Sequence, residues 1–384
     1  MLMKVKQYYI LLIIGILLPG ICCKKEINLP DRFPSSEFIK TGDYQGIYFP
    51  TNGWRECDPG EVNMDTEVLK NMNNEIASLV GNDYEIHSVV IIRDGYIIAE
   101  QYYSRYFDKE TEHKIHSCTK SFISALIGIA IAEGSIQGID DKMIDYFGDY
   151  EIKNMSPQKQ NITLEHMLTM SAGLNWNELD YLYSDPQNTH SQWKNSDDWI
   201  QFVLDRPMEY VPGEVQDYNS GLSELLACII QKSTGMRADS FALEKLFIPL
   251  GIDEYYWPTN PQDYARGGGG MRLTPRDMAK LGYLHIQKGK WEDKQLISED
   301  WIRDSGGKHI ISQHFPGFWY GYQFWVTEDG LMYTALGYAG QWIMIIPEYD
   351  LVAVFTNNFD EGVQAQEGTP MRLFYDYILA AVLD

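Results

Sequence analysis

The hydrophobic rhythm of the chain changes several times along its length. An apolar run from Tyr8 to Ile21 opens it. After an irregular stretch, Val68, Met72, Ile76 and Leu79 recur at helical spacing behind Asp65, which predicts a helix over 65–80 with Asp65 as N-cap. The period then shortens in IHSVVIIRDGYIIAEQYY, two strand-like runs joined at Asp94-Gly95, a dipeptide that favours tight hairpins. From Ser117 to about Ser305 the pattern is mostly helical, with stops at Gly134 and Gly235. Phe122 to Ala132 is apolar on nearly every side, as in a helix buried all round. Thr274-Pro275-Arg276-Asp277 supplies a cap, a first-turn proline and an acid, and so starts another helix. The last third returns to strands in YGYQFWV, LMYTAL, WIMIIP and LVAVFTN, and Thr369-Pro370 opens a final helix to about Leu383.

Two early strands, three or four late ones and helices between them predict an α+β fold. Its antiparallel sheet is assembled from both chain ends and flanked by helices, and a mainly helical lobe, about 117–305, is inserted into it. Residues 24–60 read as a tether or wrapping segment, and 61–384 as the folded domain.

A chain of 384 residues, 45% of them apolar, can fill a sizeable core, and a formal charge of −23 excludes nucleic acid as a partner, since phosphate binding needs clustered Lys and Arg. Lys4 and Lys6 precede the first apolar run, which is too short to span a bilayer and right for the core of an export signal over residues 1–23. The expected location is the periplasm or cell envelope. Cys22-Cys23 directly after that core resembles the lipid-attachment cysteine of bacterial lipoproteins. Anchoring to a membrane through Cys22 or Cys23 and simple cleavage both remain open. Cys57, Cys118 and Cys228 form an odd set without disulfide spacing.

Four Ser-x-x-Lys tetrads occur, beginning at Ser117, Ser156, Ser191 and Ser305. Only Ser117 opens the apolar helix, and there Lys120 falls on the same face one turn later. A serine hydroxyl needs a neighbour to take its proton, and a lysine can do so only when burial depresses its pKa. The first helical turn also leaves backbone N–H groups available to a developing oxyanion. Further on, Tyr218-Asn219-Ser220 stands at the mouth of a second apolar helix.

Ser-x-x-Lys on a buried helix, a Tyr-x-Asn or Tyr-x-Ser about a hundred residues later and a final strand motif resemble the penicillin-binding, class C β-lactamase-like serine hydrolases. ITLEHMLTMSAGL, RLTPRDMAKLGYL and ALGYAGQWIMIIPEYDLVAVFTNN carry the likeness from about Trp54 to the C-terminus. Tyr218-Asn219-Ser220 is closer to the branch of 6-aminohexanoate-dimer hydrolases and esterases. The resemblance implies the β-lactamase/transpeptidase-like fold and an acyl-enzyme at Ser117. It implies a proton relay through Lys120 and Tyr218, and an oxyanion hole of the Ser117 and Tyr338 backbone N–H groups. Ser220 and Gly340 then belong to the substrate-binding surface, and no cofactor is involved. The family's Lys-Thr-Gly strand motif is replaced by Gly337-Tyr338-Ala339-Gly340-Gln341, and the literal Lys40-Thr41-Gly42 lies on the wrong side of Ser117. Losing that lysine removes a carboxylate anchor and favours a small ester or amide over a β-lactam. A β-lactamase or D-Ala-D-Ala-type peptidase, and a non-catalytic relative that binds envelope peptides or proteins, are the alternatives.

Four further features are read more plainly. Cys118 is a core thiol, and His113 and His116 lack a third ligand at metal-binding spacing. Gly267 to Gly270 is not a phosphate loop, because no Lys-Ser or Lys-Thr follows. The aromatic segment Leu174 to Trp199 either shapes a pocket or packs the lobe.

Overall fold

A computed structural model describes residues 38–383 apart from 80–85, 105 and 359–363; the expected export signal and lipidation cysteines lie outside the described residues. Eight antiparallel strands form the main sheet: β1 (Ile86–Arg93), β2 (Tyr96–Tyr102), β3 (Ile310–Ile311), β4 (Phe318–Tyr320), β5 (Trp325–Thr327), β6 (Tyr333–Gly337), β7 (Gln341–Ile346) and β8 (Leu351–Asn357). Their spatial order is β2-β1-β8-β7-β6-β5-β4-β3, so the last strand in sequence lies between the first and the seventh. Val90 pairs with Val354, and Ile343 with Val354 from the other side. The β1–β2 turn places Asp94 (φ 53°) and Gly95 (φ 84°) in the left-handed region, as a tight primed turn requires.

Among the described residues the late strands number six, against the three or four expected. YGYQFWV does not run through as one strand, because Gln323 (φ 64°) breaks it between β4 and β5. The Gln323 side chain explains the break, for its amide donates to the carbonyls of Met167 (3.2 Å) and Leu168 (2.8 Å) and its Oε1 accepts from Ser223 (2.6 Å).

Both sheet faces are covered, which is why these strands are apolar without alternation. Val90, Ile92, Ile343, Ile345, Val352 and Val354 face the core shared with α2 (Thr119–Ala132), α3 (Ser220–Thr234) and α4 (Pro275–Ile286). Val89, Ile91, Met344, Ala353 and Phe355 face the opposite way, toward α1 (Thr66–Leu79) and the C-terminal helical segment. Asp65 caps α1, accepting from the N–H groups of Glu67 (2.8 Å) and Val68 (3.1 Å). Leu69, Met72 and Ile76 form its buried stripe, in place of the Val68 and Leu79 the spacing suggests. Thr274 caps α4 as expected. The last helix, α5 (Gln364–Leu373), starts earlier than Thr369 and carries Pro370 inside it. The segment before α1 lies along β2, with Ile39 bridged to Ala99 and Glu56 to Ile97.

Candidate active site

The chain is pinned just before Ser117. His113–Lys114 pairs with Leu273–Arg272, and the Ile115 N–H donates to Met271 O (3.0 Å). His116 then takes φ 48°, an uncommon conformation for a side chain with Cβ, and Ser117 occupies the single tight turn that leads into α2. Every residue of α2 from Thr119 to Ala130 is buried, so the helix anchors its first turn firmly. Lys120 is 1% exposed; its Nζ donates to Ser117 Oγ at 2.9 Å and also to the Gly268 carbonyl. Burial draws the Lys120 pKa down to about 8, against the opposing pull of the Glu178 and Glu224 carboxylates. The neighbouring Cys118 thiol points to Gln341 O (3.5 Å), and burial pushes its pKa up, which leaves it without thiolate character.

Tyr218 comes to Ser117 and Lys120 because the next residue caps α3: Asn219 Oδ1 accepts from the Leu222 N–H at 3.2 Å. The phenol ring is buried, stacked on Trp325 (5.7 Å, 22°) and edge-on to Tyr320, with Lys120 Nζ 5.1 Å from its centre. Burial raises its pKa well above the ordinary tyrosine value, while the Ser117 side chain pulls it down. The Ser220 hydroxyl points elsewhere than to Lys120, for both its Oγ (2.6 Å) and its N–H (2.8 Å) donate to Glu178. Trp176 Nε1 (2.9 Å) and the Tyr183 hydroxyl (3.0 Å) complete four donors to that buried carboxylate.

The glycine run 267–270 supplies the underside of the site. Glu224 Oε2 accepts from the N–H groups of Gly267 (3.0 Å) and Gly268 (3.2 Å), and Asn260 donates to its Oε1 (3.0 Å). This holds the Gly268 carbonyl on Lys120. A Cβ at Gly267 would sit 1.9 Å from Ser223 O, and one at Gly268 2.9 Å from Ser220 O, so the glycines serve close backbone approach. Gly267→Ala should therefore lower stability by about 1–3 kcal/mol or more, read as a shift in the denaturation midpoint. An unchanged midpoint would show that the loop yields without cost.

Tyr338, Ala339 and Gly340 connect β6 to β7, with Ala339 (φ 62°) and Gly340 (φ 79°) both left-handed. A Cβ at Gly337 would meet Ile115 O at 2.3 Å, which brings this hairpin end against the segment leading to Ser117. The Tyr338 ring meets His116 (5.6 Å) and Tyr183 (5.3 Å) edge-on. Gln341 and Asn357 brace the loop: Gln341 Nε2 donates to the carbonyls of Ala339 (3.2 Å) and Asn357 (2.6 Å), and the Asn357 amide donates to that of Gly340. The loop itself carries no cation. Lys40 of the literal Lys-Thr-Gly pairs instead with Glu56 (3.3 Å) and Glu100 (3.2 Å).

The other serines of the tetrads have local tasks. Ser156 caps a helical turn, Ser191 donates to Tyr183 O, and Ser305 donates to Trp301 O (2.7 Å). His113 shares a buried contact with His87 (2.8 Å), and burial holds both near pKa 4. The aromatic segment divides: Trp176, Trp193 and Trp199 pack the lobe, whereas Tyr183 faces Tyr338. Glu178, Glu224, Gln341 and Asn357 are absent from the sequence-based set. Of these only Glu224 leaves a visible signal, as an acid within the apolar run SGLSELLACII.

The sequence profile of the Beta-lactamase family matches residues 77–375. A 6-aminohexanoate-dimer hydrolase of Paenarthrobacter ureafaciens is 25% identical over 287 residues, 69% of this chain and 70% of that protein. Among solved structures, a Bacillus anthracis protein assigned as a 6-aminohexanoate-dimer hydrolase superposes with a TM-score of 0.66 at 22% identity, covering 79% of this chain and 82% of the other. An octameric penicillin-binding protein homologue from Pyrococcus abyssi gives 0.65 at 20%, covering 81% and 77%.

Proposed function

Since the chain belongs to the Beta-lactamase family of serine hydrolases, we propose that it cleaves a carboxylic ester or amide through an acyl-enzyme on Ser117. The observation that carries this reading is the contact of Lys120 Nζ with Ser117 Oγ at 2.9 Å, made by a lysine whose burial lowers its pKa to about 8. A fraction of Lys120 is thus neutral near neutral pH and can accept the serine proton. Tyr218 keeps its proton throughout that range, so it passes protons between Ser117 and the leaving group and does not act as a standing tyrosinate.

Ser117 Oγ attacks the carbonyl carbon as its proton passes to Lys120. The oxyanion forms toward the backbone N–H groups of Ser117 and Tyr338. Collapse breaks the bond to the leaving oxygen or nitrogen, which takes a proton by way of Tyr218. Water then adds to the ester, giving its proton back through the same relay, and frees the acid and Ser117. The 337–341 loop offers no cation, so the carboxylate of a β-lactam would find no anchor on that strand. Intact-mass measurement after fluorophosphonate exposure tests the reading: one adduct on Ser117, with p-nitrophenyl ester turnover, is expected. Folded protein with neither adduct nor turnover would overturn the hydrolase reading, and nitrocefin turnover would shift it to a β-lactamase.

The pH profile follows from the same lysine. Lys120 must be neutral to act, so kcat/KM should rise with pH through about 8 and level above it. The Glu178 charge favours protonated Lys120; Glu178→Gln should move the rising limb to lower pH. A limb that stays in place would separate Glu178 from the relay.

A further inference from the structure

A cavity of about 420 Å³ is lined by Tyr183, Asp185, His190, Ser191, Lys194 and Asn195, among others. Two ring contacts lead from it to the residue before Ser117: Tyr183 packs edge-on against Tyr338 (5.3 Å), itself edge-on to His116 (5.6 Å). Lys194 is the cation in its wall. Its Nζ sits 3.3 Å above the Trp199 ring centre, and the Arg266 guanidinium lies 5.0 Å from the same centre. Among the described residues Lys194 forms no ion pair with a carboxylate. Burial first, and then the charges of Arg266, Lys114 and Lys120, draw the Lys194 pKa down to about 7 against the opposing pull of Glu224. Glu224, the acid within reach, already accepts from Gly267, Gly268 and Asn260. Asp185 on the rim accepts the Gln187 N–H at 2.8 Å.

These cations gather in a chain that has 31 Lys and Arg against 54 Asp and Glu. Four basic side chains stand against the two buried carboxylates Glu224 and Glu178, so positive charge remains in excess, and an anionic guest relieves the repulsion that is left. Trp199 and Trp193 keep Lys194 in place from below, so little side-chain freedom is lost on binding.

We propose that this cavity is a carboxylate subsite with Lys194 as its cation, and that the ester or amide opened at Ser117 carries a free carboxylate on the part lodged there. The second half rests on Ser117 being the nucleophile; the first does not. The substrate's anchor would then come from the helix carrying Ser191-x-x-Lys194, in place of the missing strand lysine.

Two measurements separate the halves. Calorimetry with glutarate and with neutral glutaramide reads the subsite without any turnover. Glutarate should bind and glutaramide should not, and Lys194→Met should weaken glutarate by about tenfold to a hundredfold, the loss expected for one charge-assisted hydrogen bond. Lys288→Met, which removes an exposed lysine paired with Glu299 (3.0 Å), controls for net charge. Kinetics then compares mono-p-nitrophenyl glutarate with p-nitrophenyl butyrate, and 3-acetoxybenzoate with 3-acetoxybenzamide, so that the carboxylate is tried on the acyl and the leaving side. At least one pair should favour the acid, with the ratio falling by a similar factor in Lys194→Met. Equal binding of glutarate to native and Lys194→Met protein overturns the subsite. Selective binding with no cleavage of any ester keeps the subsite and rejects Ser117 hydrolysis.

Discussion

Replacing Ser117 by alanine should lower kcat/KM for an activated ester by about 10⁴-fold or more, the scale on which losing a covalent nucleophile acts. The change removes one oxygen from a half-buried position at the end of a helix whose hold on the fold lies further along, in Phe122, Ile123, Leu126 and Ile127. Stability should therefore stay close to native, and the loss can be assigned to chemistry. The residual rate matters too. If Ser117→Ala keeps more than a tenth of the native kcat/KM in protein free of native contamination, Ser117 is not the nucleophile and the fluorophosphonate adduct should be found elsewhere.

Lys120→Met should cost about 10²–10⁴-fold in kcat/KM, the usual worth of a positioned general base. Methionine matches the length of the lysine stem and leaves its apolar neighbours in contact, so packing changes little. The Gly268 carbonyl loses the donor it now has, a cost of about 1–3 kcal/mol, but the burden of holding an ammonium group in a site 1% exposed disappears with it. The two changes oppose each other, and the variant should unfold near the native midpoint while failing to acylate. The check is the rate of fluorophosphonate labelling, which depends on proton removal from Ser117 and not on later hydrolysis. Labelling at the native rate would mean that another group takes the proton.

The local code for these elements is short and strong, which is why much of the fold could be read from the chain. Asp65, Asp94-Gly95, Gly134, Gly235 and Thr274-Pro275 each act within a few residues and are found where their chemistry demands. Ser117, Lys120 and Tyr218 stand close together for the same kind of reason, each being carried by the first turn of, or the approach to, a buried helix. What stayed hidden depends on contacts remote in sequence. The split of YGYQFWV is decided by Gln323 reaching Met167, Leu168 and Ser223. The role of Gly267 and Gly268 follows from Ser223 and Ser220 crossing beneath them. Ser220 is expected on the substrate-binding surface, yet Glu178, from a polar loop more than forty residues earlier, holds its hydroxyl.

The position of β8 between β1 and β7 has a consequence for how the protein comes into being. At about 5–20 residues per second, the interval between synthesis of Tyr102 and of Leu351 is on the order of tens of seconds. Throughout it the β1–β2 hairpin, every residue of which from Ile86 to Gln101 outside the turn ends up buried, has no neighbour along the open side of β1. Helix α2 emerges early in the same interval, before the sheet it covers exists. The protein is thus committed to wait for β8, and ribosome-bound chains arrested before Leu351 should show the protease sensitivity of an open sheet edge, lost once β8 has cleared the exit tunnel.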